Sequence, residues 1–340
     1  MNDAFLNFGN EPFSLPYLPG DDFLSPTIIE NIMSQQQLQQ PLQQDPGDDD
    51  VGRIKSDMGL QSRVEFAAKR LAAIPKTFAE QAHTMFVHRR LFQERNPAAL
   101  QDALSACALY CLKTPENQAL VFRNLEHKSQ QLIAAIDPHR VSKVDLLAAL
   151  QALVMYQVIR LFDGDVRLRA QAEADEPVLV TWAAQLKSRT RQLAPSLSES
   201  STPASASPDA LLVLQDRAAY WQRWLVDESC RRTVIVALMV KGVYGFLKTG
   251  FDRSPSLRMS FTAQAALWGA QSEYGWRTAY YGGERERLEV RMMHWDEDMA
   301  KATPGDLEEL GVLIMSMFRG LEVAEDWLGR AYLLKYGLER

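Results

Sequence analysis

Few residues in this 340-residue chain have the type and spacing that chemistry requires. Cys107 and Cys111 stand four apart, a separation that turns two thiols toward one helix face and one metal ion. They share that face with Leu104 and Ala108, and a free cysteine packs as a small hydrophobe, so core packing is the favoured reading. Cys230 stands alone, with no second pair at zinc spacing to complete a structural site. The histidines, His83, His88, His127, His139 and His294, form no His-x-x-x-His or His-Glu-x-x-His pair. His294 leads into Trp295, Asp296, Glu297 and Asp298, an imidazole beside carboxylates that could move protons. A solvated helix face, anchored behind by Met292, Met293 and Trp295, accounts for the same residues. Phosphate-cradling glycine loops, a Walker-type Gly-Lys-Ser/Thr and a Gly-x-Ser-x-Gly elbow are missing from the sequence. The basic groups His88-Arg89-Arg90, Lys187 with Arg189 and Arg191, and Arg231-Arg232 are short and interleaved with acids, which favours salt bridges over phosphate contacts. The expectation is therefore no catalytic residue, no metal ligand, no cofactor and no enzymatic activity.

The elements that would position these residues are helices. Apolar residues recur at helical spacing, strand-like alternation is scarce, and 46% hydrophobic content supports a real core. Leu60, Val64, Ala67, Ala68, Leu71 and Ile74 form a stripe that Pro75 ends; a second run starts after Pro97 and lasts to Pro115. Further helices are expected over 117–136, 142–173, 176–193, 209–251, 263–280, 284–299 and 305–336, with a flexible Ser/Ala/Pro-rich loop at about 195–208. The fold class is all-α: a multi-helix globular body over 56–340 behind a disordered tail over 1–55.

The tail's first fifty residues combine a Gln-rich patch with nine acidic residues and no basic one, and set Phe5, Leu6, Phe8, Phe13, Tyr17 and Phe23 among the acids. Such a composition suits an amphipathic activation segment that folds into a partner's groove, although a featureless tail has the same charge. The rest of the chain holds 37 basic against 34 acidic residues, a net of +3, which gives it little electrostatic claim on DNA. With no signal or transit peptide, and an apolar run at 234–247 too short to span a bilayer, the protein is expected to be soluble and intracellular, without a membrane partner.

The segment Tyr220-Trp221-Gln222-Arg223-Trp224-Leu225-Val226-Asp227-Glu228-Ser229-Cys230-Arg231-Arg232-Thr233 is distinctive. On a helix it puts Trp221, Trp224 and Leu225 on one face and spaces Glu228 to pair with Arg231 or Arg232. Thr84-Met85-Phe86-Val87-His88 precedes it, followed by Pro97, the 100–103 run Leu-Gln-Asp-Ala, Thr114, Glu116-Asn117, Val121-Phe122-Arg123 and a long apolar helix from Leu146 to Gly164. Ala266-Leu267-Trp268-Gly269-Ala270 and Trp276 come after it. In type and order these elements resemble the regulatory domain of fungal binuclear zinc-cluster transcription factors, over roughly residues 60–280.

The resemblance implies a structural signature made of Phe86, His88, Trp221, Trp224, Glu228, Ser229, Arg231, Arg232, Thr233, Leu267, Trp268, Ala270 and Trp276. It also implies a nuclear, pathway-specific transcription regulator of the kind found beside fungal biosynthetic genes. The family's six-cysteine zinc cluster is not among the first fifty residues, so sequence-specific DNA binding by this chain alone is not expected. Its partners would be the transcription machinery or a DNA-binding co-regulator, with homo- or heterodimerisation left open. The alternative is a helical ligand-binding or scaffold protein without transcriptional output.

Overall fold

A computed structural model describes residues 58–92, 95–190, 210–250, 259–282 and 288–336. The acidic tail and the loop at 195–208 lie outside the described residues. Over the rest the protein is all-α apart from one short strand pair, as the apolar spacing predicted.

The core is organised around α5 (Lys143–Phe162), in which every residue from Leu146 to Phe162 is buried. Ser142 starts it as N-cap, its Oγ accepting from the Asp145 N–H at 3.1 Å. A helix apolar on all faces belongs inside a bundle. Its length and composition would also suffice to cross a membrane, but here other helices cover it. Packed around it are α1 (Met58–Ala72), α2 (Ile74–Gln81), α3 (Ala98–Cys111), α4 (Gln118–Ala135), α6 (Val166–Ala174), α7 (Glu176–Ser188) and α8 (Ala210–Thr249). At 40 residues α8 is roughly 60 Å long. Its second half, from Cys230 to Leu247, runs through the core beside α5 and α7.

Beyond α8 the chain forms β1 (Ser260–Thr262), α9 (Ala265–Trp268), α10 (Glu273–Tyr281), β2 (Glu289–Arg291), α11 (Trp295–Met299), α12 (Glu309–Arg319), α13 (Leu321–Leu328) and α14 (Arg330–Tyr336). The strands pair antiparallel, Phe261 opposite Val290, and both side chains are buried. Helix α12 packs on α1, and β1 packs on α8.

Several boundaries depart from those expected. Pro75 does not merely end a stripe; it sits in the first turn of α2, where its missing N–H costs nothing. The helix expected over 142–173 breaks between α5 and α6, because Gly164 takes φ +102° and Asp165 caps the new helix through Leu168 N–H at 2.8 Å. The run over 305–336 becomes three helices, with Gly320 and Gly329 at φ +98° and +74° between them. The stretch over 284–299 contributes β2 and a 3-10 turn as well as α11, since three residues of strand are too few to show alternation in sequence.

Candidate functional site

Fewer than two turns of α8 contribute Glu228, Ser229, Arg231, Arg232 and Thr233, all buried at the meeting point of α8, β1, the 84–88 segment and the start of α12. Glu228 Oε2 accepts from Arg231 Nε at 3.0 Å and Nη2 at 2.7 Å, and from the Thr262 hydroxyl at 3.2 Å. Its Oε1 accepts from Arg232 Nε and from the Thr262 backbone N–H, each at 2.9 Å. Arg232 then uses Nη1 on the Met85 carbonyl at 3.0 Å and on Glu308 Oε1 at 2.6 Å, and Nη2 on the Thr262 carbonyl at 2.8 Å. Its guanidinium carbon lies 3.9 Å from the centre of the Trp268 ring.

Two carboxylates and two guanidiniums thus balance in a largely buried site, in which Glu308 alone keeps partial exposure. Burial alone would raise the Glu228 pKa, but Arg231 and Arg232 outweigh it and hold the carboxyl below its ordinary value. At Glu308 burial prevails over the Arg232 charge and the pKa goes up. Removing one partner of such a set strands a buried charge, at about 3–5 kcal/mol.

The 84–88 segment is shaped for this hub. The Thr84 hydroxyl accepts from the Phe86 and Val87 N–H groups at 3.3 and 3.1 Å, and the turn so formed leaves its carbonyls pointing at α8 and α5. Arg232 takes that of Met85, and Gln151 Nε2 takes that of Phe86 at 2.9 Å. Gln151 also reaches the Thr233 hydroxyl at 3.2 Å, which in turn donates to the Ser229 carbonyl at 2.6 Å. The buried His88 ring packs edge-on against Trp268 at 4.9 Å. Its Nδ1 accepts from Arg90 N–H at 3.1 Å, and the ring also bonds the Trp268 backbone. A second ring proton would collide with the Arg90 donor. Burial, with Arg232 nearby, pushes the His88 pKa down to about 4 against that backbone bond.

One turn earlier, Trp221, Trp224 and Leu225 leave the main core and join Leu267, Ala270 and Trp276 in a second apolar cluster. Trp276 stacks 5.4 Å from Trp224 and 4.5 Å from Tyr280, and Tyr220 meets Tyr280 through their hydroxyls at 3.2 Å. The indole N–H groups of Trp221 and Trp276 are buried with no acceptor among the described residues.

The structure thus draws the signature residues into two adjoining clusters. Glu228, Arg231, Arg232, Thr233, His88 and Trp268 are in or against the charged hub; Trp221, Trp224, Leu267, Ala270 and Trp276 are in the aromatic one. Phe86 contributes its carbonyl and a buried ring, and Ser229 its carbonyl. Glu308, Thr262 and Gln151 complete the hub without having been anticipated: each lies far along the chain and no local pattern marks it.

The remaining candidates are dispersed. Cys107 is buried on α3; burial raises its thiol pKa, and brings Cys111 to about 11 and Cys230 to about 12, disfavouring the thiolate needed for ligation or attack. Among the described residues no group of three or more His, Cys, Asp and Glu is arranged to hold a metal ion. His294 meets Glu297 at 3.2 Å, Arg291 binds Asp298 at 2.8 Å and Glu297 at 3.6 Å, and Asp296 pairs with Arg319, so these groups are taken up in ion pairs. Met293 is 56% exposed and does not anchor this helix as expected; Met292 and Trp295 do. Arg231 and Arg232 are spent internally, and Arg189 is bound to the Val141 and Pro138 carbonyls.

No protein-family model matches the chain, and no solved structure matches it. A curated relative does: the protein named Transcription factor gsfR2 from Penicillium aethiopicum is 58% identical over 341 residues, covering 99% of this chain and 77% of the relative. The chain belongs to the family of fungal transcription factors that includes this relative.

Proposed function

We propose that this chain is a nuclear, pathway-specific transcription regulator that controls a fungal biosynthetic gene cluster by recruiting partner proteins. The observation that carries the reading is the 58% identity, along almost the whole chain, to a protein named as a transcription factor. The hub supports it from the other side, since every charged group there is paired internally and the arrangement is that of a scaffold. Residues 1–55 act as the activation segment, their aromatics kept in solution by nine acids until a partner groove accepts them. Residues 56–340 form one regulatory body. The 340 residues read no DNA sequence themselves; they work through the transcription machinery or a DNA-bound co-regulator.

A reporter assay tests this directly. Residues 1–55 fused to an unrelated DNA-binding domain should activate a reporter, and replacing Phe5, Phe8, Phe13 and Phe23 by Ala should abolish activation while leaving the acids in place. An inert fusion would refute the recruiting role. A nanomolar, sequence-dependent shift of DNA by the purified chain at physiological salt would refute the partner-mediated one.

A further inference from the structure

We infer that Arg169 anchors a binding site for a small organic carboxylate, set between α6 and the C-terminal part of α8 and apart from both signature clusters. Among the described residues four arginines are buried: Arg160, Arg169, Arg231 and Arg232. Asp175 holds Arg160 at 2.6 Å, and Glu228 holds Arg231 and Arg232 at 2.7 and 2.9 Å. Arg169 is the exception. It is 7% exposed, its Nε is buried with no acceptor, and no ion pair reaches its guanidinium among the described residues. A guanidinium does not shed its proton in a protein, so this charge cannot be relieved by neutralisation. Buried charges require a partner, and a negative group from outside the chain is what the site is built to accept.

The surroundings show why the chain does not supply that group itself. Glu173, one turn further along α6, is near enough to sense the Arg169 charge, but its two oxygens are held by the Tyr244 hydroxyl and by Lys248, the latter at 2.7 Å. Glu176 is drawn toward Lys241 at 3.4 Å. Tyr244 senses the same guanidinium, and its ring packs edge-on against Phe162 at 6.4 Å, which fixes the phenol against the end of α5. Three positive groups, Arg169, Lys241 and Lys248, thus face two negative ones, Glu173 and Glu176, and the net single charge is cancelled by one carboxylate. A phosphate dianion would overshoot it. Nε is also the right donor, since with the neighbouring Nη it forms the side-on edge that takes both oxygens of a carboxylate. The small exposed remainder of Arg169 admits a small molecule rather than a protein surface. Occupation of this site is separate from the recruiting role proposed above and involves neither the hub nor the aromatic cluster.

Titration of the full chain with sodium acetate and sodium benzoate, at an ionic strength held constant with sodium chloride, tests the site, with acetamide and benzamide as neutral controls. The Arg169 Nε–H resonance, assigned by its disappearance in Arg169→Lys or Arg169→Met, should shift with a Kd of about 1 mM or tighter for at least one carboxylate and for neither amide. Melting temperature should rise in step with the bound fraction. Arg169→Lys should weaken binding at least about 10-fold, and Arg169→Met should abolish it. Without carboxylate, Arg169→Met should melt at or above the unmodified chain, because it removes a buried charge that nothing in the chain pairs. A resonance that neither carboxylate moves, or that the amides move equally, would overturn the site. So would an Arg169→Met variant that melts lower without carboxylate or fails to fold, since the guanidinium would then be serving the fold.

Discussion

Arg232 shows why a residue's neighbours matter more than its charge. It contacts Glu228, Glu308 and two backbone carbonyls while lying flat on Trp268, a task that needs a planar fork with several donors. Arg232→Lys keeps the charge but cannot reach all four acceptors. The expected loss is about 3–5 kcal/mol in urea unfolding; a loss under about 1 kcal/mol would mean that charge alone suffices. His88 makes a second prediction. Its folded pKa of about 4 is below the ordinary 6.5, so between those values the unfolded chain binds a proton that the folded one refuses. The His88 contribution is complete above pH 6.5 and is lost as pH falls toward 4, by about 3 kcal/mol in total. Glu228, whose pKa is depressed, adds to the acid loss below about pH 4.5, whereas Glu308, raised, partly opposes it. Urea midpoints from pH 7.5 to 4 should fall for the unmodified protein, and His88→Gln should flatten the segment between 6.5 and 4. An unchanged slope would show that the imidazole takes up its proton at the ordinary pKa in the folded state.

Among the elements, legibility followed locality. Helix α5 was visible because seventeen consecutive buried positions leave an apolar run with few competing readings, and α3 because Pro97 marks its start. Breaks inside continuous helical patterns were not, since Gly164, Gly320 and Gly329 are tolerated in a helix by sequence alone and reveal themselves only through their backbone angles. The strand pair was hidden by its length of three residues each. The site divides the same way: the Glu228 to Arg232 spacing is local and readable, but Glu308 and Thr262 arrive from 76 and 30 residues beyond Arg232. Two glycines give opposite predictions. Gly320, at φ +98° and ψ 160°, should cost about 1–3 kcal/mol as Gly320→Ala. Gly245, inside α8 with open space where a Cβ would lie, should gain about 0.5–1 kcal/mol as Gly245→Ala. Thermal melts that rank the two the other way round would contradict these assignments.

The whole molecule is a helical body whose distant parts meet in one buried charged hub. Through Glu228 and Arg232, the long α8 is tied to β1, to the turn at 84–88 and to the entry of α12. The central claim is that this hub and the adjoining tryptophans hold the body together and act on no substrate or DNA. The most direct test measures melting temperature and reporter activity side by side for Glu228→Ala and Trp221→Ala. Each should cost about 3–5 kcal/mol, comparable with the stability of a whole domain, so melting temperature, soluble yield and regulatory activity should fall together. Either variant keeping full thermal stability while losing all activity would contradict the claim and make the element a contact or catalytic site.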